Sequence, residues 1–97
     1  GSADSVNNDI SMAITEPVAL QASIYPNPAT DNVQIQVEKT EAVVLVQVFS
    51  ALGESVIEEQ RPNTGNIAVS LAGIPAGIYL LKASSGGKVY NTRLVKD

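Results

Sequence analysis

The chain contains no cysteine, no histidine and no tryptophan among its 97 residues. Without cysteine it has no disulfide, no thiolate nucleophile and no cysteine-ligated metal, although this absence leaves the cellular compartment open. Without histidine it lacks the usual zinc ligand, the base of a Ser-His-Asp arrangement and the main proton carrier near neutral pH. No serine has an identifiable base. The sequence therefore predicts a protein that is not an enzyme, with no cofactor and no small-molecule substrate.

Basic residues are also few. Six Lys and Arg stand against ten Asp and Glu, a formal net charge of −4, and no stretch gathers the basic residues into a patch. Proteins that bind nucleic acid neutralise phosphates with clustered basic side chains, so we do not expect nucleic acid as a partner. No apolar run approaches the roughly 18 residues that span a bilayer.

The chain has no initiating Met and no signal segment, and it begins with Gly1 and Ser2, which resemble an expression scar. We therefore interpret it as an excised piece of a longer protein. Residues 3–18 are polar, lack Lys and Arg, and show only a brief alternation over residues 10–14 that Pro17 interrupts. This composition predicts a polar linker over residues 1–18 and one domain over residues 19–97.

The domain shows the alternation of β-strands. Val33, Ile35 and Val37 alternate with polar residues, which indicates a strand with one face in the core. Residues 42–49 are almost continuously apolar, which is typical of a central strand covered on both faces.

Turn residues separate these strands from their neighbours. Gly53 is placed for a positive φ in a hairpin after the apolar strand. Further strands are predicted over residues 19–25, 55–60, 66–71, 78–84 and 89–95. The series predicts an all-β fold, an antiparallel immunoglobulin-like β-sandwich of about seven short strands.

Two proline-containing turns interrupt the strand pattern. In residues 25–31 (Tyr-Pro-Asn-Pro-Ala-Thr-Asp), Pro26 and Pro28 exclude regular structure, so a strand should stop there and restart near Asn32. Asp31 is the one carboxylate in this turn, and Ca²⁺ requires more charge, so we favour a capped turn over a metal site.

The second turn, residues 72–77, places Gly77 two residues before Tyr79 at the start of a strand. This spacing predicts a packing motif of the tyrosine-corner kind, in which Gly77 leaves room for the ring and Tyr79 bonds the loop backbone. The last strand has mixed faces and could present an unpaired edge to a partner, including a second copy in an edge-to-edge dimer.

The motifs together resemble a known family over residues 19–97. The proline turn of residues 25–31, the Gly53 hairpin, the second crossing with Pro75 to Tyr79, and the lysine-bearing terminal strand occur in the order found in the C-terminal sorting domain of type IX secretion cargo. This family occurs in Bacteroidota, at the end of exported proteases, adhesins and glycosidases.

The resemblance implies a secretion signal. It implies an immunoglobulin-like sandwich that directs attached cargo through the type IX machinery, from the periplasm to the outer membrane surface or the extracellular space. It also implies a cell-surface sortase as a partner, which cuts in or before residues 3–17 and joins the cargo to anionic lipopolysaccharide.

The resemblance also implies which residues the secretion machinery recognises, and these lie in both proline turns and the last strand. They are Pro26, Asn27, Pro28, Gly77, Tyr79, Lys88 and Lys96. The family more usually closes on lysine, so the final Asp97 is a departure. We hypothesise that residues 89–96 and the two proline turns form one recognition surface.

Two other functions are compatible with a β-sandwich. A carbohydrate-binding or adhesive immunoglobulin-like module appended to a secreted enzyme usually exposes a platform of Trp or Tyr, and this chain has no Trp and three scattered Tyr. A purely structural spacer of the same fold is the other alternative.

Overall fold

The structure, a computed structural model, describes residues 18–97 as eight strands in two sheets. The strands are β1 (Val18–Ala19), β2 (Ala22–Tyr25), β3 (Asn32–Val37), β4 (Val44–Phe49), β5 (Ser55–Arg61), β6 (Asn66–Ser70), β7 (Gly77–Ser85) and β8 (Lys88–Lys96). One sheet has the order β1-β8-β7-β4-β5 and the other β2-β3-β6. The alternation predicted over residues 10–14 lies outside the described residues, as does almost all of the predicted linker.

The two sheets confirm the all-β sandwich. The order β8-β7-β4 corresponds to the G-F-C strands of an immunoglobulin fold, β5 to the added C′ strand, and β2-β3-β6 to A-B-E. Neighbouring strands are antiparallel except for β1, which runs parallel to β8. Residues 18–97 contain no helix long and apolar enough to cross a membrane.

The single strand predicted over residues 19–25 is two strands in the structure. β1 pairs with β8 in the larger sheet, and β2 pairs with β3 in the smaller one. The chain changes sheets at Leu20 and Gln21, where Leu20 N donates to Val89 O at 2.9 Å. Leu20 still faces the core, so the alternation of apolar residues continues unchanged across the switch. This switch between sheets explains why the structure has eight strands where about seven were predicted.

The core lies between the sheets and is mainly aliphatic. The alternation predicted for β3 is confirmed, since Val33 and Ile35 are fully buried and Val37 is nearly so. β4 contributes the opposing residues Val44, Val46 and Val48, each with no exposed surface. Each fully buried side chain of this kind stabilises the fold by roughly 1.5–3 kcal/mol.

β4 differs in one respect from its prediction. It lies inside the sheet between β5 and β7, but only its inner face is fully buried. Leu45, Gln47 and Phe49 are half-buried on the outer face, and Val43, which precedes the strand, is 54% exposed. The prediction that both faces of this strand are covered was therefore wrong. No further layer of the described chain lies over the outside of this sheet.

The hairpin predicted around Gly53 is confirmed. Gly53 has a φ of 89° in the connection between β4 and β5. A left-handed backbone of this kind costs any residue with a Cβ about 1–2 kcal/mol, so glycine suits the position.

Candidate functional site

The first proline turn binds the last strand through one side chain. Asn27 Nδ2 donates to Arg93 O at 3.0 Å, and Val95 N donates to Asn27 Oδ1 at 3.0 Å. These are the donor and acceptor that a neighbouring strand would contact, so the Asn27 amide takes the place of a peptide group along the outer edge of β8. The peptide bonds before Pro26 and Pro28 are cis.

Ala29 continues this edge contact through its backbone. Its N–H donates to Val95 O, and its carbonyl accepts from Asp97 N, both at 2.8 Å. Ala29 has no exposed surface, so the end of the turn is part of the core. The turn and the end of β8 therefore hold each other in place.

The outer edge of β8 is consequently occupied within the chain. Leu20 contacts it near one end, and Asn27 and Ala29 contact it near the other. Among residues 18–97, the stretch around Asn91 is the part of this edge without such a partner. The prediction of an unpaired terminal strand was wrong, because partners 66 to 68 residues away in sequence leave no local signature.

Lys96 connects β8 to the second proline turn. Its Nζ donates to Leu71 O at 2.7 Å and to Ile74 O at 2.5 Å. Hydrogen bonds from a charged donor are among the stronger ones. This ammonium group is therefore well placed to hold the second proline turn against the terminal strand. We use the name C-terminal clasp for two sets of contacts together: those of residues 26–29 with β8, and those of Lys96 with the second proline turn.

The tyrosine corner predicted from the Gly-x-Tyr spacing is confirmed. Tyr79 is 7% exposed, and its hydroxyl donates to Pro75 O at 2.5 Å, four residues earlier. The ring lies over Gly77, as expected. A Cβ at Gly77 would nevertheless lie 3.7 Å from Tyr79 Cε2 and 3.9 Å from its hydroxyl oxygen, which is ordinary van der Waals contact.

Substitution of Gly77 by alanine should therefore leave stability nearly unchanged. We expect the free energy of unfolding of Gly77→Ala to stay within about 0.5 kcal/mol of the original, whereas Gly87→Ala should lose roughly 1 kcal/mol. Gly87 has open space around it but a φ of 80°, so substitution there measures the cost of backbone strain without a steric clash. Urea denaturation measures both, and a larger loss for Gly77→Ala than for Gly87→Ala would show that the ring requires a bare backbone.

Lys88 lies apart from the other predicted recognition residues. It starts β8 whereas Lys96 ends it, so the two are roughly 26 Å apart at the usual rise of a strand. Its Nζ contacts Glu38 Oε1 at 3.0 Å. The structure thus brings together Pro26, Asn27, Pro28, Gly77, Tyr79 and Lys96 at one end of the sandwich, with Lys88 at the other.

Glu38 is a residue that the sequence did not single out. Its Oε2 accepts from Gln21 N at 2.7 Å, so it fixes the point where the chain changes sheets, while its other oxygen binds Lys88. The backbone N–H of Gln21 and then the Lys88 ammonium hold the pKa of Glu38 below its usual value of 4.5.

This lowered pKa predicts a defined pH dependence. A depressed carboxyl pKa stabilises the fold above about pH 4.5, and the contribution disappears as pH falls through the lowered value. The stability difference between the original protein and Glu38→Gln should therefore be present at near-neutral pH and shrink in strong acid. Urea denaturation across this range measures it, with Glu54→Gln as the control for net charge. A difference that is independent of pH would contradict the assignment.

The three tyrosines do not form a platform for sugar stacking. Tyr79 is buried and Tyr90 half-buried, which leaves Tyr25, at 42% exposure, as the exposed one. Carbohydrate recognition of the stacking type therefore gains no support from their arrangement.

A small β-sandwich closed by its own terminal strand is the class of structure that these contacts define. Residues 23–97 match the family described as the secretion system C-terminal sorting domain, and the chain belongs to that family. It is the C-terminal sorting signal of type IX secretion.

The chain is also similar to Karilysin of Tannerella forsythia. The two are 30% identical over 84 aligned positions, which cover 76% of this chain and 18% of the relative. The chain thus spans less than a fifth of that relative's length. Family membership implies contact with the secretion machinery and a secreted protein at the outer membrane or outside the cell, and the family is not catalytic.

Proposed function

We propose that this chain directs attached cargo from the periplasm across the outer membrane, and that the machinery recognises the end of the sandwich where the C-terminal clasp lies. The observation that supports this most directly is the convergence of both proline turns on the terminal strand. Asn27 joins the first turn to β8, and Lys96 joins β8 to the second.

Within this site the residues divide by exposure. Pro26, Asn27 and Pro28 are exposed and can contact a partner directly. Tyr79 is buried, and the Lys96 ammonium binds two carbonyls, so these two residues shape the surface. Lys88 would be a separate contact at the far end of β8, and its ion pair with Glu38 favours a structural role. A dimer through the edge of β8 is not part of the proposal, since that edge is largely occupied.

We further propose that a cell-surface sortase removes the domain after export by cutting in or before residues 3–17, and joins the cargo to anionic lipopolysaccharide. The polar composition of this segment suits a cleavage site, because proteases require accessible backbone. The division into a linker over residues 1–18 and a domain over residues 19–97 is part of this proposal.

A fusion experiment tests the proposed function. A fluorescent protein joined to the N-terminal side of this chain should reach the surface or the medium of a Bacteroidota host that has the type IX machinery. The same fusion in a strain lacking the machinery should stay inside the cell. Equal export from both strains, or none from the competent one, would contradict the proposal.

A further inference from the structure

An apolar groove of about 470 Å³ lies on the outer face of the five-stranded sheet, at the same end as the C-terminal clasp. Its lining residues are Phe49, Ser50, Ala51, Gly53, Ile78, Tyr79, Leu80 and Arg93. Ile78 is 55% exposed and Leu80 is 46% exposed, although both lie on a regular strand. Exposed apolar groups gathered in this way mark interaction sites more often than isolated ones do.

A row of polar residues separates this groove from the rest of the outer face of the sheet. Leu80 lies opposite Phe49 on β4 and opposite Arg93 on β8. Two residues further along β7, the same face carries Lys82, which is flanked by Gln47 and Asn91. From this polar row toward the clasp, the outer face therefore becomes apolar. A sheet face exposed only to solvent would not require this change.

One wall of the groove is held rigid by Ser50. Its backbone N–H donates to Glu54 O at 2.8 Å, and its hydroxyl accepts from Leu52 N at 3.3 Å and from Glu54 N at 3.2 Å. This hydrogen-bonded loop displays Leu52 with 90% of its surface exposed. The groove is thus preformed, as binding sites usually are.

Arg93 gives the groove a charge preference. Within residues 18–97 the ion pairs are Arg61 with Glu59 and Lys88 with Glu38, so Arg93 has no acidic partner in the described part of the chain. Its carbonyl binds Asn27, so the clasp fixes the backbone from which the guanidinium extends. A guanidinium beside an apolar groove favours a partner that presents a carboxylate next to an apolar side chain.

We infer that this groove is the docking surface for a protein of the secretion machinery, which inserts an apolar side chain against Ile78 and Leu80 and pairs a carboxylate with Arg93. The inference rests on the proposed function and gives it a second surface beside the clasp. It also explains why the clasp must hold the end of β8, because Arg93 and the floor of the groove depend on that strand.

The fluorescent fusion described above tests this surface with paired variants. Ile78→Thr/Leu80→Thr keeps strand-forming residues but removes the apolar bulk, and Val43→Thr is the matched control at an exposed valine outside the groove. Loss of a docking contact of ordinary strength should reduce export by about tenfold or more. Val43→Thr should export normally. Similarly, Arg93→Glu should reduce export and Arg93→Lys should largely preserve it.

The outcomes separate this inference from the proposed function. Export of the unmodified fusion together with equal export of a folded Ile78→Thr/Leu80→Thr variant overturns the groove alone. Failure of the unmodified fusion to be exported overturns the proposed function, and the groove with it.

A second measurement detects the partner directly and does not use the threonine variants. A photo-crosslinking amino acid at position 80 should form adducts with a machinery protein in the competent host, and the same group at position 43 should not. Adducts with a second copy of the chain would overturn the inference in favour of a dimer. Leu80-dependent binding to anionic phospholipid vesicles would overturn it in favour of a membrane.

Discussion

Removal of residues 94–97 is expected to retain the cargo inside the cell and to destabilise the domain. Leu94 has no exposed surface and pairs with Tyr79, so its loss alone should reduce the free energy of unfolding by about 2–5 kcal/mol. The truncation also removes both backbone partners of Ala29 and the Lys96 ammonium from the second turn. Secretion of the fluorescent fusion and chemical denaturation of the isolated chain measure the two effects.

Two milder variants separate recognition from folding. Deletion of Asp97 alone removes one backbone hydrogen bond, to Ala29 O, and should leave folding and export close to normal. Asn27→Ala leaves the buried core intact but removes both hydrogen bonds to β8, at a cost of about 1–2 kcal/mol. Folded Asn27→Ala that is not exported would show that the machinery contacts the turn. Normal secretion of the 94–97 truncation would refute the role of the terminal strand.

The sequence predicted the strands well because alternation records which side chains face the core. Val33, Ile35 and Val37 lie in the core, where their pattern placed them. The strand predicted over residues 66–71 also forms, and its residues Ile67 and Val69 face the same core. The same pattern carries no information on which strand is the neighbour. Leu20 and Ile24 alternate as if on one strand, yet they lie on either side of a switch between sheets.

The sequence predicted a set of recognition residues, but it predicted a specific hydrogen bond for only one of them, Tyr79. The Gly-x-Tyr spacing is local, so the bond from Tyr79 to the preceding loop could be expected from it. Asn27 and Lys96 act on backbone groups distant in sequence, and any carbonyl or N–H there presents the same chemistry whatever its side chain. Such side-chain to backbone contacts have no signature in the sequence, which is also why Glu38 escaped notice.

Replacement of Tyr79 by alanine is expected to be the most damaging single substitution among the predicted recognition residues. The ring is 7% exposed within the core, so Tyr79→Ala should lower the free energy of unfolding by about 3–5 kcal/mol through the cavity that it leaves. Tyr79→Phe keeps the ring and removes only the hydrogen bond to Pro75 O, which should cost about 1 kcal/mol. Melting temperature and export should be measured on both variants.

The pair of substitutions decides what the tyrosine does in sorting. A buried ring whose hydroxyl is directed at its own loop offers little to a partner, so its effect on export should follow its effect on folding. Tyr79→Phe should then remain folded and be exported normally, while Tyr79→Ala loses both properties. A Tyr79→Phe variant that stays folded, with no more than this modest loss of stability, but is retained inside the cell would contradict this. Only direct contact of the machinery with the hydroxyl, or with the turn that it orders, would then account for the loss of export.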